Sequence, residues 1–182
     1  HACGFDSIPS DLGVFYAQNK IKENSGKYAS KISMRVISMK GGISGGTIYS
    51  FPNIIEESRK NKNIKKVLNN PHGLSPNKDL FDSDEEDLKK IIFDSASKKW
   101  IGPFVMAAIN TRIVRRSNYL MDFKYGRDFI YNEALVFGRT ILSKFLGYFK
   151  LLPIYLISSV KNKTFNLLVR LALPKPGKGP TE

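Results

Sequence analysis

Four groups of residues in this chain have types and spacings that can do chemistry. The first is Gly4-Phe5-Asp6-Ser7-Ile8-Pro9-Ser10-Asp11, where a glycine that permits a sharp turn precedes a carboxylate, a hydroxyl and a proline suited to a first helical turn. A helix that starts there aims its free N–H groups and its positive dipole end at whatever sits above the preceding strand. A bland strand-to-helix connection would read the same way, with Asp6 serving as its cap. The second group is Ser44, Gly45, Gly46 and Thr47, in a run with four glycines in six positions. Successive small residues before a helix can present backbone N–H groups to an oxyanion, or can simply let the helix pack close to a sheet. Tyr131 and Glu133 alternate onto one face of a strand and are candidate proton donors. Arg115 and Arg116 can hold the phosphates of a cofactor, coenzyme A or a carrier arm, or can pair with acids on the surface.

The elements that must position these groups follow from hydrophobic spacing. Pro9 to about Lys22 reads as a helix, with Leu12, Val14, Phe15, Ala17 and Ile21 as its apolar positions. Ser30 to Met39 alternates as a half-buried strand. Arg59 to Lys78 is Lys/Asn-rich and broken by Pro71 and Pro76, which predicts a solvated loop with at most one helical turn. Asp82 to Asp87 supplies acids for the start of a helix through Leu88, Ile91 and Ile92. Gly102-Pro103 opens another helix, with Val105, Ile109 and Ile113 on its apolar side and Arg112, Arg115 and Arg116 opposite. Asp122 to Phe137 alternates as a second long strand. Two such strands separated by helices predict a mixed sheet with helices on one face.

The last forty-odd residues change character. Thr140 to Leu152 has Ile141, Leu142, Phe145, Leu146, Tyr148, Phe149 and Leu152 on one face and Ser143, Lys144, Gly147 and Lys150 on the other. Pro153 is expected to break this helix, and Ile154 to Leu173 to resume it. Lysines interrupt every window long enough to span a bilayer, so the pattern suits a membrane interface, or equally a helical hairpin that covers the sheet or a dimer partner.

Composition narrows the partners. The formal net charge is +13, and it is uneven: residues 1–100 carry 16 Lys and Arg against 12 Asp and Glu, whereas residues 101–182 carry 13 against 4. The aromatics do not interleave with the basic residues as stacking platforms would, so no nucleic-acid partner is expected. Lipid head groups, acidic carriers and phosphate-bearing cofactors fit better. The single cysteine, Cys3, excludes an internal disulfide and suits a reducing compartment. One cysteine and two histidines offer no metal-ligand spacing, and no metal is expected.

The stretch GFDSIPSDLG, followed in order by SGGTIYS, GPFVMAAINTRIVRRSN, YGRDFIYNE and PKPGKGP, resembles the saccharopine dehydrogenase-like oxidoreductases, a group that includes the bacterial trans-acting enoyl reductases. The resemblance spans almost the whole chain except the Lys/Asn-rich stretch. It implies an α/β fold: residues 1–25 as the end of a Rossmann-type nucleotide-binding sheet and a connecting helix, 26–137 as an α+β substrate domain with a mixed or antiparallel sheet, and 138–182 as a basic amphipathic helical segment. It also implies an internal piece of a longer protein, since no G-x-G-x-x-G turn occurs here.

By the same resemblance Gly4, Phe5, Asp6 and Ser7 lie beside the nicotinamide of NADP or NAD, with Asp6 and Ser7 as catalytic candidates that fix the carboxamide or a substrate oxygen, and Tyr131, or donors near Ser44 to Thr47, as candidates that stabilise charge on the conjugated oxygen. Ser7 and Ile8 stand where saccharopine reductases have Pro and Gly, which counts against an amino-acid substrate. The implied reaction is reduction of a carbon–carbon double bond in a lipid or polyketide-like chain, within glycolipid or lipid metabolism. The expected setting is cytoplasmic, peripheral to an anionic membrane or lipid-droplet surface, with a homodimer as a further expectation. The alternatives are a non-catalytic scaffold of the same fold at a lipid surface, and an amino-acid dehydrogenase of the saccharopine reductase type.

Overall fold

A computed structural model describes residues 7–38, 57–58, 60–75, 80–82 and 86–159. Gly4, Phe5, Asp6, Ser44, Gly45, Gly46 and Thr47 lie outside the described residues, as does the chain after Ser159. The element order is α1 (Ile8–Ser25), β1 (Lys31–Val36), α2 (Lys62–Asn69), β2 (Ile92–Asp94), β3 (Lys99–Gly102), α3 (Ala107–Leu120), β4 (Ile130–Gly138) and α4 (Ile141–Ser159).

The strands form one mixed sheet in the order β1-β4-β3-β2. β1 runs parallel to β4, with Ile32 beside Tyr131 and Met34 beside Glu133, while β3 is antiparallel to both β4 and β2. The expectation of a mixed α/β arrangement therefore holds for the described residues. Ile32, Met34 and Tyr131 turn to the side where Val14 of α1, Val114 of α3, Tyr125 and Phe129 form a buried cluster. The opposite side carries Arg35, which donates to Asp94 Oδ2 at 3.2 Å and to Asn132 Oδ1 at 2.8 Å and so ties three strands together.

α1 ends where Gly26 adopts φ 75°, a left-handed conformation that glycine reaches without steric cost, and returns its N–H to the Lys22 carbonyl. Gln18 then clamps the chain leading into β1 by donating to the Ala29 carbonyl at 2.8 Å and accepting from its N–H at 2.9 Å. This two-point clamp, together with Ile130 N–H donating to Ser30, sets where the β1–β4 pairing begins.

The structure corrects the sequence expectations in five places. Lys62–Asn69 is a two-turn helix inside the stretch expected to be a loop, with Asn61 accepting from the Asn63 N–H as its cap. The expected helix through Ile91 and Ile92 is instead an edge hairpin, β2 and β3, whose turn places Lys98 at φ 53°. The long second strand starts only at Ile130. Before it Asp122 and Phe123 hold left-handed conformations, and Asn118 satisfies the loop by donating to the Gly126 carbonyl and accepting from the Tyr125 N–H. α4 runs through Pro153, which removes one backbone donor without ending the helix.

The fifth correction concerns faces. α3 buries Asn110, Thr111, Arg112, Val114, Arg115 and Asn118 and exposes Ile109, so Arg112 and Arg115 turn inward. Its polar groups are matched by acceptors: Arg112 pairs with Asp87 at 2.6 Å, and Thr111 donates to the same carboxyl at 2.9 Å. A helix can bury a polar side where each donor meets a partner.

Candidate functional site

Ser7 occupies the N-cap position of α1, where a serine ordinarily accepts from the first turn of its own helix. Here no side-chain cap bond forms. The Ser7 hydroxyl instead donates to Asn110 Oδ1 at 3.0 Å, across to the first turns of α3. Asn110 Nδ2 donates in turn to Glu133 Oε2 at 2.9 Å, and Tyr131 Oη donates to the other oxygen, Glu133 Oε1, at 2.6 Å. The result is a continuous hydrogen-bonded chain, Ser7 to Asn110 to Glu133 and Tyr131 to Glu133, that links α1, α3 and β4. All four side chains are at least 98 % buried.

Each link follows from local structure. Tyr131 and Glu133 are two apart on β4, so the pleat points both to the side where the helices pack. Their register partners on β1 are Ile32 and Met34, and Met34 Sδ lies 3.4 Å from Tyr131 Oη and accepts from Ser10 Oγ at 3.7 Å. Glu133 therefore sits between two donors, an arrangement suited to an acceptor-only carboxyl. Burial, followed by the neighbouring Glu133, pushes the Tyr131 phenol well above its ordinary range and keeps it protonated at neutral pH. Asp11, one turn into α1, accepts from Ser117 Oγ at 2.9 Å, and its burial raises its pKa against the opposing effect of that hydrogen bond.

Ser7 and Tyr131, two of the sequence candidates, are thus brought into one network. Glu133, which shared its strand face with Tyr131, is the centre of it. Asn110 and Ser10 were missed. A signal for Asn110 did exist, since Asn110, Val114 and Asn118 recur four apart and mark the inward side of α3. The arginine candidates stand elsewhere. Arg115 is buried and donates to the carbonyls of Pro71 at 3.2 Å and Tyr131 at 3.3 Å, while exposed Arg116 donates to the Leu74 carbonyl. Both arginines thus donate to backbone oxygens.

The chain is 34 % identical over 200 residues, covering all of it, to a Mycobacterium tuberculosis protein with the provisional name trans-acting enoyl reductase. It is 31 % identical over 193 residues, again covering all of it, to the trans-acting enoyl reductase of Mycobacterium ulcerans. Over 192 residues, 99 % of the chain, it is 30 % identical to the trans-acting enoyl reductase of Mycobacterium bovis. Each match covers 46 % of the relative, so the chain spans about half the length of the curated relatives it matches. No protein-family profile matches, and no solved structure matches.

Proposed function

We propose that this chain is part of an oxidoreductase of the trans-acting enoyl reductase type, within the saccharopine dehydrogenase-like group, acting on a double bond conjugated to the carbonyl of a lipid or polyketide-like acyl chain. The observation that carries the reading is the similarity to proteins of that name along the entire chain. In such a reaction NADPH or NADH supplies a hydride to one alkene carbon. Binding of the dinucleotide belongs, on this reading, to the part of the longer protein that the chain does not span, and no step is assigned to it from these residues.

What the described residues contribute is positioning. The Tyr131 O–H and one N–H of Asn110 are both given to Glu133, which holds the Asn110 amide with Oδ1 toward Ser7. Ser7 follows Gly4-Phe5-Asp6 directly in sequence, the segment that the resemblance places beside the nicotinamide. Tyr131 and Glu133 are therefore positioning residues in this reading, while Ser7 keeps lone pairs that can accept from a ligand.

The test uses the full-length protein and follows NADPH absorbance with a trans-2-enoyl thioester as substrate. Turnover is expected. Asn110→Ala should lower kcat by roughly tenfold to a hundredfold, with a smaller change in KM, because a mispositioned reacting group costs rate before it costs binding. A folded protein that binds NADPH yet leaves enoyl thioesters unreduced would overturn the proposal.

A further inference from the structure

Helix α4 is seated with its apolar side outward. Ser143, Gly147 and Leu151, four apart, lie along the side turned to the protein, where Gly147 approaches the Phe137 ring and Ile91. The opposite side carries Ile141, Leu142, Phe145, Leu146, Phe149 and Leu152, all exposed, with Phe145 at 65 % and Phe149 at 75 %. A helix that merely covered the sheet would bury this arc, as amphipathic helices of globular proteins do. A contiguous apolar surface of this kind marks an interaction site.

Charge identifies what covers it. Lys144, lying 4.8 Å over the Trp100 ring, and Lys150 flank the apolar arc, and Arg139 stands exposed just before the helix. Between Glu133 and Glu182 the sequence holds no acidic residue. A symmetric pairing with a second copy would bring these cations face to face with no acid on the helix to offset them. A surface of anionic lipid head groups over hydrocarbon complements both features at once. Among the described residues no helix is long and apolar enough to cross a membrane.

We propose that the outward side of α4 binds in the interfacial plane of an anionic lipid bilayer. The helix lies along the surface, its phenylalanines and leucines at the boundary between head groups and acyl chains, its basic residues at the phosphates. This binding is independent of the proposed reaction.

Flotation of the full-length protein with vesicles tests it, comparing phosphatidylcholine alone with phosphatidylcholine containing phosphatidylglycerol. Three basic residues near the surface should raise partitioning on the order of a hundredfold on the anionic vesicles at low salt, and added salt should reduce the gain. Phe145→Ser/Phe149→Ser should lower binding by about tenfold or more with an unchanged circular dichroism spectrum, because both side chains are exposed. Lys150→Glu should weaken binding to the anionic vesicles alone. Flotation that is absent, or indifferent to lipid charge and to the double substitution, overturns the proposal. So does a dimer in sizing experiments that the double substitution dissolves, since the surface would then belong to a second copy.

Discussion

Asn110 Nδ2 lies 2.9 Å from Glu133 Oε2 and joins α3 to β4 through two side chains almost wholly removed from solvent. Its removal has two consequences. Asn110→Ala orphans the Ser7 hydroxyl and one Glu133 oxygen together, which should cost about 2–4 kcal/mol in urea unfolding. Asn110→Asp should behave differently, because it sets a second carboxyl beside Glu133 and raises the proton affinity of the pair. A raised folded pKa gives stability that is present at acid pH and lost as pH rises, so this variant should be most stable in acid and weaken toward neutrality. An Asn110→Asp protein as stable as wild type at neutral pH would mean that the bond does not form.

The Tyr131 hydroxyl tests the other arm of the same carboxyl. Tyr131→Phe keeps the ring in the core but leaves Glu133 Oε1 without its donor, for an expected loss of about 1–3 kcal/mol. Burial also predicts the alkaline behaviour. Tyr125 is pushed up to about 12, and Tyr131 is shifted in the same direction by burial and by Glu133. For both, stability is complete below the ordinary phenol value of 10.0 and falls as pH rises beyond it. Ultraviolet titration should show two tyrosines ionising after the rest, only as the protein unfolds, and Tyr131→Phe should remove one of them. Ionisation of all tyrosines in a single step near the ordinary value would contradict the buried placement.

The periods of the helices were legible in the sequence, and their inward faces were not. α1, α3 and α4 all stand close to where the hydrophobic spacing put them. In α1 the inward positions are Ser10, Val14 and Gln18, while Leu12, Phe15 and Tyr16 are exposed. Hydrophobic spacing assumes that the partner surface is apolar. Here the partner is often a backbone carbonyl or a carboxyl: Ala29 for Gln18, Glu133 for Asn110, Pro71 and Tyr131 for Arg115. Polar side chains aimed at such acceptors pack inward and displace the apolar ones to the outside. The edge hairpin was missed for another reason, since a three-residue strand and a four-residue strand are too short to display alternation. Within the site, Ser7, Tyr131 and Glu133 could be read from turn chemistry and strand alternation. For Asn110 the recurrence with Val114 and Asn118 could mark an inward position, but not its role, because its partners are 103 and 23 residues away.

Asp11 and Asp94 should give opposite pH signatures. Burial raises the Asp11 pKa, so its contribution is most favourable while it holds a proton and declines as pH rises above the ordinary carboxyl value of 3.8. Asp11→Asn, which keeps an acceptor for Ser117, should therefore raise the melting temperature at neutral pH, with the gain vanishing in acid. Asp94 is held below its ordinary value chiefly by the Ser97 hydroxyl, which donates at 2.7 Å, and further by Arg35. Its contribution is present above 3.8 and lost as pH falls through the lowered value, so Asp94→Asn should destabilise at neutral pH and converge on wild type in acid. Melting curves across the acid range decide the matter, and parallel trends in the two variants would refute the assignment.

Gly147 and Gly102 both exist to admit Phe137. A Cβ at Gly147 would lie 2.8 Å from Phe137 Cγ and Cδ2 and 2.9 Å from Ile91 Cδ1, while one at Gly102 would lie 2.7 Å from Phe137 Cε2 and 3.0 Å from Ile91 Cγ1. Neither separation is tolerable, and the atoms near Gly147 include the base of the ring, which a rotamer change cannot easily withdraw. Gly147→Ala should cost about 1–3 kcal/mol through overpacking. The penalty should depend on the ring itself. In a Phe137→Leu background the same substitution should lose at least about 0.5 kcal/mol of its cost, the lower end of coupling between residues in contact. A double-mutant cycle in urea provides the measurement, and strictly additive penalties would mean that α4 is not seated on Phe137.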